Sequence, residues 1–154
     1  MTPYADTNFY TRLYLRLPES VKADRLLRAA KESEAAPLPL TWLHRVEILN
    51  AFQLHVFQGH DVGQPYISAQ QAALAHGNFR DDIQKSEFLR SVVVPDIELE
   101  KQFEELSLRR TARHGFRTYD LLHVASALLL GCDTFWNFDA KAAHLARLEG
   151  LKVR

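Results

Sequence analysis

An α/β layer structure with a mostly parallel sheet is what this sequence predicts, on three observations. Short β-branched or aromatic runs alternate with longer stretches of helical apolar periodicity from one end of the chain to the other. The 154 residues are 47% hydrophobic, which is ample for one continuous core in a single domain spanning residues 1–154. No internal repeat, linker or low-complexity segment interrupts the alternation.

Tyr4 and Ala5 form a short first strand, and Pro3 is tolerable only as its first residue because proline donates no ladder hydrogen bond. Asp6-Thr7-Asn8 then offers a cap for an amphipathic helix from Phe9 to Leu17, which Pro18 closes. Val21 to Glu34 reads as a second helix, with Val21, Leu26, Leu27 and Ala30 toward the core. Pro37 and Pro39 break the pattern, and Leu38 to Leu43 makes a brief strand. Val46, Leu49, Ala51, Phe52, Val56 and Phe57 then recur at helical spacing up to Gly59, with Glu47 inside that helix.

From Ser68 to Leu89 the helical pattern is interrupted by Gly77 and Arg80-Asp81-Asp82, which predicts two shorter helices with a bend between them. Ser91 to Pro95 is β-branched and reads as a strand, followed by a helix from Ile97 to Arg113 that Gly115 ends in a left-handed conformation. Thr118 caps the apolar helix Leu121 to Leu130, and Gly131 ends it. Thr134 to Phe138 is strand-like, Asp139 caps a further helix, and Leu151 to Val153 makes a last short strand.

Charge narrows the function. The chain carries 19 Lys and Arg against 19 Asp and Glu, with pI about 7.1. This balance excludes a protein that coats nucleic acid through bulk charge. Cys132 is the sole cysteine, so neither an intrachain disulfide nor a thiolate metal cluster is available. The N-terminus lacks the basic start and apolar stretch of a signal peptide, and Leu121 to Cys132 falls short of the ~20 residues that span a bilayer. The expectation is a cytoplasmic protein with no membrane association.

In parallel α/β sheets, ligands bind beyond the carboxyl ends of the strands. Asp6 follows the first strand and Asp139 follows the strand Thr134 to Phe138, so both are expected on that edge. Asp120, in the first turn of one apolar helix, and Glu47, inside another, can join them. Four anions in a partly desolvated pocket raise one another's pKa unless a cation compensates, and a hard divalent ion such as Mg²⁺ or Mn²⁺ suits all-oxygen donors. Each residue also has a plainer reading. Asp6 and Asp139 serve as helix N-caps, Asp120 as a first-turn acid favoured by the helix dipole, and Glu47 as part of a solvent-facing stripe with Arg45 or Asn50.

The segment Arg117-Thr118-Tyr119-Asp120-Leu121-Leu122-His123-Val124-Ala125-Ser126-Ala127, followed by Gly131-Cys132-Asp133-Thr134-Phe135-Trp136-Asn137-Phe138-Asp139, closely resembles the C-terminal signature of PIN domains. These are the nuclease domains of VapC-type toxins. Asp6-Thr7-Asn8 resembles the first acidic motif of the family, and Thr41-Trp42-Leu43-His44-Arg45-Val46-Glu47-Ile48 the second.

The resemblance implies a three-layer PIN-like fold, with a mostly parallel central sheet flanked by helices. It further implies an acidic quartet of Asp6, Glu47, Asp120 and Asp139 that binds Mg²⁺ or Mn²⁺ and hydrolyses RNA phosphodiester bonds. By the same implication, Asp6 and Asp120 make the most direct metal contacts, while Glu47 and Asp139 complete the shell or orient water. A cognate antitoxin and a homodimer are the implied partners. One departure is Asn137, which stands two residues before Asp139 where PIN domains usually carry Thr or Ser.

Arg109, Arg110, Arg113, His114 and Arg117 form the clearest basic cluster. Of these, Arg113 and Arg117 are the candidates for RNA phosphates, and Arg109 for a helix C-terminal dipole contact. His123 lies one turn after Asp120 and reads either as a packed helix histidine or as a partner for a site carboxylate. The remaining histidines show no zinc spacing. Trp42, Tyr119 and Trp136 are either base-stacking or core residues. Two functions follow, a metal-dependent endoribonuclease toxin and, on the strength of Asn137, a catalytically weak PIN-like module that binds RNA or protein. A phospho-receiver lacks its adjacent acidic pair here, and a haloacid-dehalogenase-type phosphatase lacks its Asp-x-Asp.

Overall fold

The computed structural model describes residues 1–154. In chain order the elements are β1 (Pro3–Ala5), α1 (Thr7–Tyr14), α2 (Ser20–Glu32), β2 (Leu38–Leu40), α3 (Trp42–Gln58), α4 (Ala69–Lys85) and β3 (Leu89–Ser91). There follow α5 (Asp96–Leu106), a π-helical turn (Ser107–Thr111), α6 (Ala112–His114), α7 (Thr118–Leu129), β4 (Thr134–Trp136), α8 (Ala140–Leu148) and β5 (Lys152–Val153). No helix is long and apolar enough to cross a membrane.

All strand pairs are parallel, as the alternation of strands and helices requires. β1 pairs β4 in the register Tyr4 to Phe135, and β4 pairs β5. Because side chains alternate across a strand, the two faces carry different cores. Ala5 and Trp136 join Phe9, Tyr10, Leu38, Leu40, Ile48, Phe52 and Phe79 in one core. Tyr4 and Phe135, stacked with ring centroids 5.7 Å apart, join Leu106, Leu121, Val124, Leu145 and Leu151 in the other. Helices α1 to α4 supply the first layer and α5, α7 and α8 the second, which gives the three layers predicted.

The sheet has a seam, with β2 and β3 forming a separate parallel pair. The Leu38 N–H donates to Phe88 O and the Val92 N–H to Leu40 O, so those groups of β2 face β3. Alternation along the strand points the nitrogen of Pro39 the other way, toward β1, where it has no hydrogen to offer. His44, in the first turn of α3, takes over the missing link. The Thr41 N–H donates to His44 Nδ1 at 3.1 Å, and His44 Nε2 donates to the Ala5 carbonyl at 2.8 Å.

Four expectations need correcting. Ser68 to Leu89 contains a single continuous helix, α4, because Gly77 lies on its exposed side and costs the helix only its usual propensity penalty. The strand expected at Ser91 to Pro95 lies earlier, at Leu89–Ser91, since buried Leu89 anchors it while Val93 is 89% exposed. Val21 faces solvent, because the inward stripe of α2 runs through Ala23, Leu26, Leu27 and Ala30, and Val21 lies on the opposite side. The N-cap of α7 is Arg117 rather than Thr118.

Pro3 is the first residue of β1, the position where it is tolerated. Gly115 and Gly131 end their helices with φ +67° and +66°, as left-handed caps. In the basic cluster, Arg109 and Arg110 are committed to the fold, with Arg109 Nη2 on Glu149 Oε2 at 2.9 Å and Arg110 Nε on Glu149 Oε1 at 2.8 Å.

Candidate active site

The carboxyl ends of β1 and β4 open onto a cavity of about 290 Å³, and Asp6, Glu47, Asp120 and Asp139 all line it. Thr7, Asn8, Arg12, Arg117, Tyr119 and His123 complete most of its wall. Each acid arrives for a local reason. Asp6 caps α1 by accepting from the Thr7 N–H. Asp139 caps α8 by accepting from the Lys141 and Ala142 N–H groups at 2.7 and 3.2 Å. Asp120, in the first turn of α7, accepts from the Arg117 N–H at 3.2 Å. Glu47 projects from α3 one turn beyond the seam histidine His44. The capping reading and the pocket reading are therefore both true of Asp6 and Asp139, since a strand-to-helix cap at this edge is itself a cavity position, while Asp120 lines the same cavity as a first-turn acid.

Asn8 ties the two strand ends together. Its Nδ2 donates to Asp6 Oδ2 at 3.1 Å, and its Oδ1 accepts from the Phe138 N–H at 2.7 Å. Asn137, the departure from the usual Thr or Ser, is buried and donates to the backbone carbonyl of Asp139 at 3.1 Å, which shapes the turn before α8.

His123 takes the second of its two readings. It is buried, its Nε2 lies 2.5 Å from Glu47 Oε2 and 3.6 Å from Asp6 Oδ1, and its Nδ1 is hydrogen-bonded to the Tyr4 hydroxyl at 2.9 Å. Burial alone lowers the pKa of an imidazole, but the charge of Asp6 and the hydrogen bond and charge of Glu47 outweigh it and raise it. Glu47 shows the reciprocal effect. Burial pushes its carboxyl up, while His123 and the Thr7 hydroxyl, which donates to Oε2 at 2.7 Å, hold it below the usual range. Asp6 is raised, first by burial and then by the neighbouring Glu47 and Asp120, with His123 opposing.

Across the cavity, Arg117 bridges Asp120 and Asp139 as His123 bridges Asp6 and Glu47. Its Nε and Nη2 reach Asp120, and Nη2 also reaches Asp139 Oδ2 at 2.9 Å. Burial raises Asp139, but the two cap N–H groups and Arg117 outweigh it and hold the carboxyl below its ordinary value. Arg113 is exposed on α6 and is not among the cavity-lining residues. Tyr119, 55% exposed, and Arg12 are at the wall instead, with Arg12 also lying over the Phe138 ring at 5.3 Å.

The donors here are hard oxygens and suit Mg²⁺ or Mn²⁺, and Asp6, whose pKa is raised by its burial, lies beside Glu47 and Asp120. With Arg117 and His123 gripping the acids, no three of them are gathered as a ready-made ion site. The chemistry of the set fits a divalent ion, and the carboxylates' present partners are what such an ion would have to share or displace.

Sequence reading reached the quartet through the acidic motifs, but it left undecided the role of His123 and missed the roles of Asn8, Thr7, Tyr4 and Arg12. The signal for His123 was its place one turn after Asp120 on an otherwise apolar helix. The others are contributed through tertiary contacts that no local pattern encodes.

The chain is thus a parallel α/β sheet protein whose carboxyl edge carries a pocket of four acids. No protein-family model matches the sequence, and no curated protein matches it. Solved structures match over its full length. A chain of the VapBC2 complex of Rickettsia felis, bound to a DNA fragment from its promoter, superposes with a TM-score of 0.66 at 13% identity, covering 100% of this chain and 98% of that one. VapC20 of Mycobacterium tuberculosis, described as a sarcin-ricin loop cleaving toxin, superposes with a TM-score of 0.64 at 18% identity, covering 99% of each chain. The chain has the fold of the VapC toxins.

Proposed function

We propose that this protein is a metal-dependent endoribonuclease, the toxin half of a toxin-antitoxin pair, acting in the cytoplasm. The observation that carries the reading is the meeting of Asp6, Glu47, Asp120 and Asp139 in one cavity, from four elements dispersed along the chain. The likeness in fold to VapC20, which cleaves RNA, and to a chain of VapBC2 supports it.

In this proposal the four carboxylates hold Mg²⁺ or Mn²⁺, with Asp6 and Asp120 nearest. Such an ion supplies a more acidic water and neutralises charge on the phosphate. The chain's own groups prepare the site. Asn8 fixes Asp6 against the turn before α8. Tyr4 and Thr7 hold His123 and Glu47 in one orientation. Arg12 and Arg117 offer positive charge to a phosphate at the wall, while exposed Tyr119 offers a face to a base. A cognate antitoxin covering the acidic cavity, and a homodimer, belong to the same proposal. Copurification with a small partner and molar mass by light scattering test them.

The decisive experiment incubates the purified protein, D6N and D120N with RNA and Mg²⁺ or Mn²⁺. Cleavage by the wild type alone is expected, and equal cleavage by all three overturns the assignment. The second reading, a PIN-like binding module without turnover, draws on the engagement of the acids by Arg117 and His123. Metal-dependent cleavage abolished by D120N excludes it.

A further inference from the structure

The cavity holds two pairs of acids, each bridged by one basic side chain, and the two side chains differ in freedom. His123 bridges Asp6 and Glu47 from a position 1% exposed, locked from behind by Tyr4. Arg117 bridges Asp120 and Asp139 from the rim, with its side chain 62% exposed. Three of the four carboxylate oxygens of that second pair accept from the guanidinium, with Nε to Asp120 Oδ2 at 2.9 Å, Nη2 to Asp120 Oδ1 at 3.1 Å and Nη2 to Asp139 Oδ2 at 2.9 Å. The fourth, Asp139 Oδ1, is occupied in capping α8.

We infer that Arg117 is an exchangeable counter-cation, which occupies the place of the divalent ion between Asp120 and Asp139 and gives it up when its guanidinium transfers to a phosphate of the bound strand. The inference rests on the metal-dependent reading above and adds to it a positioning residue. The chemistry is that of a planar fork, which matches a carboxylate and a phosphate equally well, so the group can change partners without losing its hydrogen bonds. Two cations cannot share the same carboxylate oxygens without repulsion, so the ion binds fully only after the guanidinium leaves. The strand, by taking the guanidinium, frees the acids. Metal and nucleic acid therefore bind with positive coupling, and coupling of this kind is reciprocal. Without a strand the protein holds its metal weakly, with its acids already neutralised.

Mn²⁺ affinity measured by calorimetry or electron paramagnetic resonance tests this on the wild type, R117Q and R117K. Each is measured alone and with a single-stranded oligodeoxynucleotide as the phosphate-backbone probe. R117Q alone is expected to bind Mn²⁺ on the order of tenfold more tightly than the wild type, the low end for surrendering charge-assisted hydrogen bonds on a part-exposed group. R117K, which keeps the charge but not the fork, falls between them. The oligonucleotide is expected to tighten Mn²⁺ binding to the wild type and leave R117Q unchanged. Equal or weaker Mn²⁺ binding by R117Q, or no tightening of the wild type by the oligonucleotide, overturns the exchange while leaving the metal-dependent reading intact. Absence of Mn²⁺ binding in all three proteins overturns that reading and the exchange with it.

Discussion

Replacing His44 with phenylalanine removes the one side chain that bridges the seam between β1 and β2. In the wild type, His44 Nδ1 accepts from the Thr41 N–H and Nε2 donates to the Ala5 carbonyl, in fully buried surroundings. Phenylalanine fills the site with a somewhat larger ring, so no cavity opens, but one donor and one acceptor are left without partners. At ~1–3 kcal/mol for each orphaned group, H44F is expected to lose ~3 kcal/mol, or about 6–12 °C in Tm for a domain of this size. Urea denaturation followed by circular dichroism measures it.

A pH series isolates the same group. Burial first, then the charge of His123, push the pKa of His44 well below its ordinary value, against the Ala5 hydrogen bond. The unfolded chain thus takes up a proton at this residue that the folded chain refuses. The stability His44 contributes is complete above its unfolded pKa, about 6.5, and is lost as the pH falls from there toward the folded value, at up to about 1.4 kcal/mol per pH unit. His123, with its raised pKa, is protonated in both states below that point and adds no slope there. The difference between wild type and H44F should therefore shrink as pH falls below 6.5. Parallel stability curves for the two proteins, or a midpoint for H44F equal to that of the wild type, would refute the account of the seam.

Three further outcomes follow from the same physical reasoning. Gly77→Ala should stabilise α4 by ~0.5–1 kcal/mol, because a Cβ there meets nothing within 4 Å and the backbone is already helical; a thermal melt shows it. Gly131→Ala should destabilise by ~1 kcal/mol despite equally open surroundings, since its φ of +66° is one that a Cβ resists; the same melt gives the opposite sign. Asp139→Ala removes the cap of α8 and should cost ~0.5–2 kcal/mol in urea denaturation, whereas Asp139→Asn, which still accepts a cap bond, should cost less.

Most of the layer order was legible because its signals are local. Apolar spacing marked α1, α3 and α7, the Asp139 cap marked α8, and Gly115 and Gly131 marked helix ends. Where reading failed, tertiary burial outweighed local preference. The β-branched run Val92-Val93-Val94 has strand propensity, yet Leu89 is what the core accepts, so the strand begins there. Gly77 has a low helix propensity, but the inward face of α4, with Ala72, Ala75 and Phe79, carries the helix past it. In the site, the four acids were found because their motifs are spaced along the chain in a recognisable order. The cations that answer them were undecided, since a lone histidine or arginine carries no sign of which distant carboxylate it will face. The seam was hidden for the same reason. Pro39 announced a break, but nothing local said that His44 would fill it.

The π-helical turn Ser107–Thr111 has a consequence for how the chain tolerates change in length. Such a turn carries one residue more than an α-helix needs, and here Thr111 Oγ1 within it is buried without a hydrogen-bond partner. It is slack in an otherwise taut scaffold, so a one-residue deletion has somewhere to be absorbed, by relaxation to ordinary helical turns. The same relaxation would rotate Arg109 and Arg110 away from Glu149, loosening the hold of α8 on this helix. Length variation at this point is therefore a means of adjusting one outer layer while the acidic edge of the sheet keeps its shape.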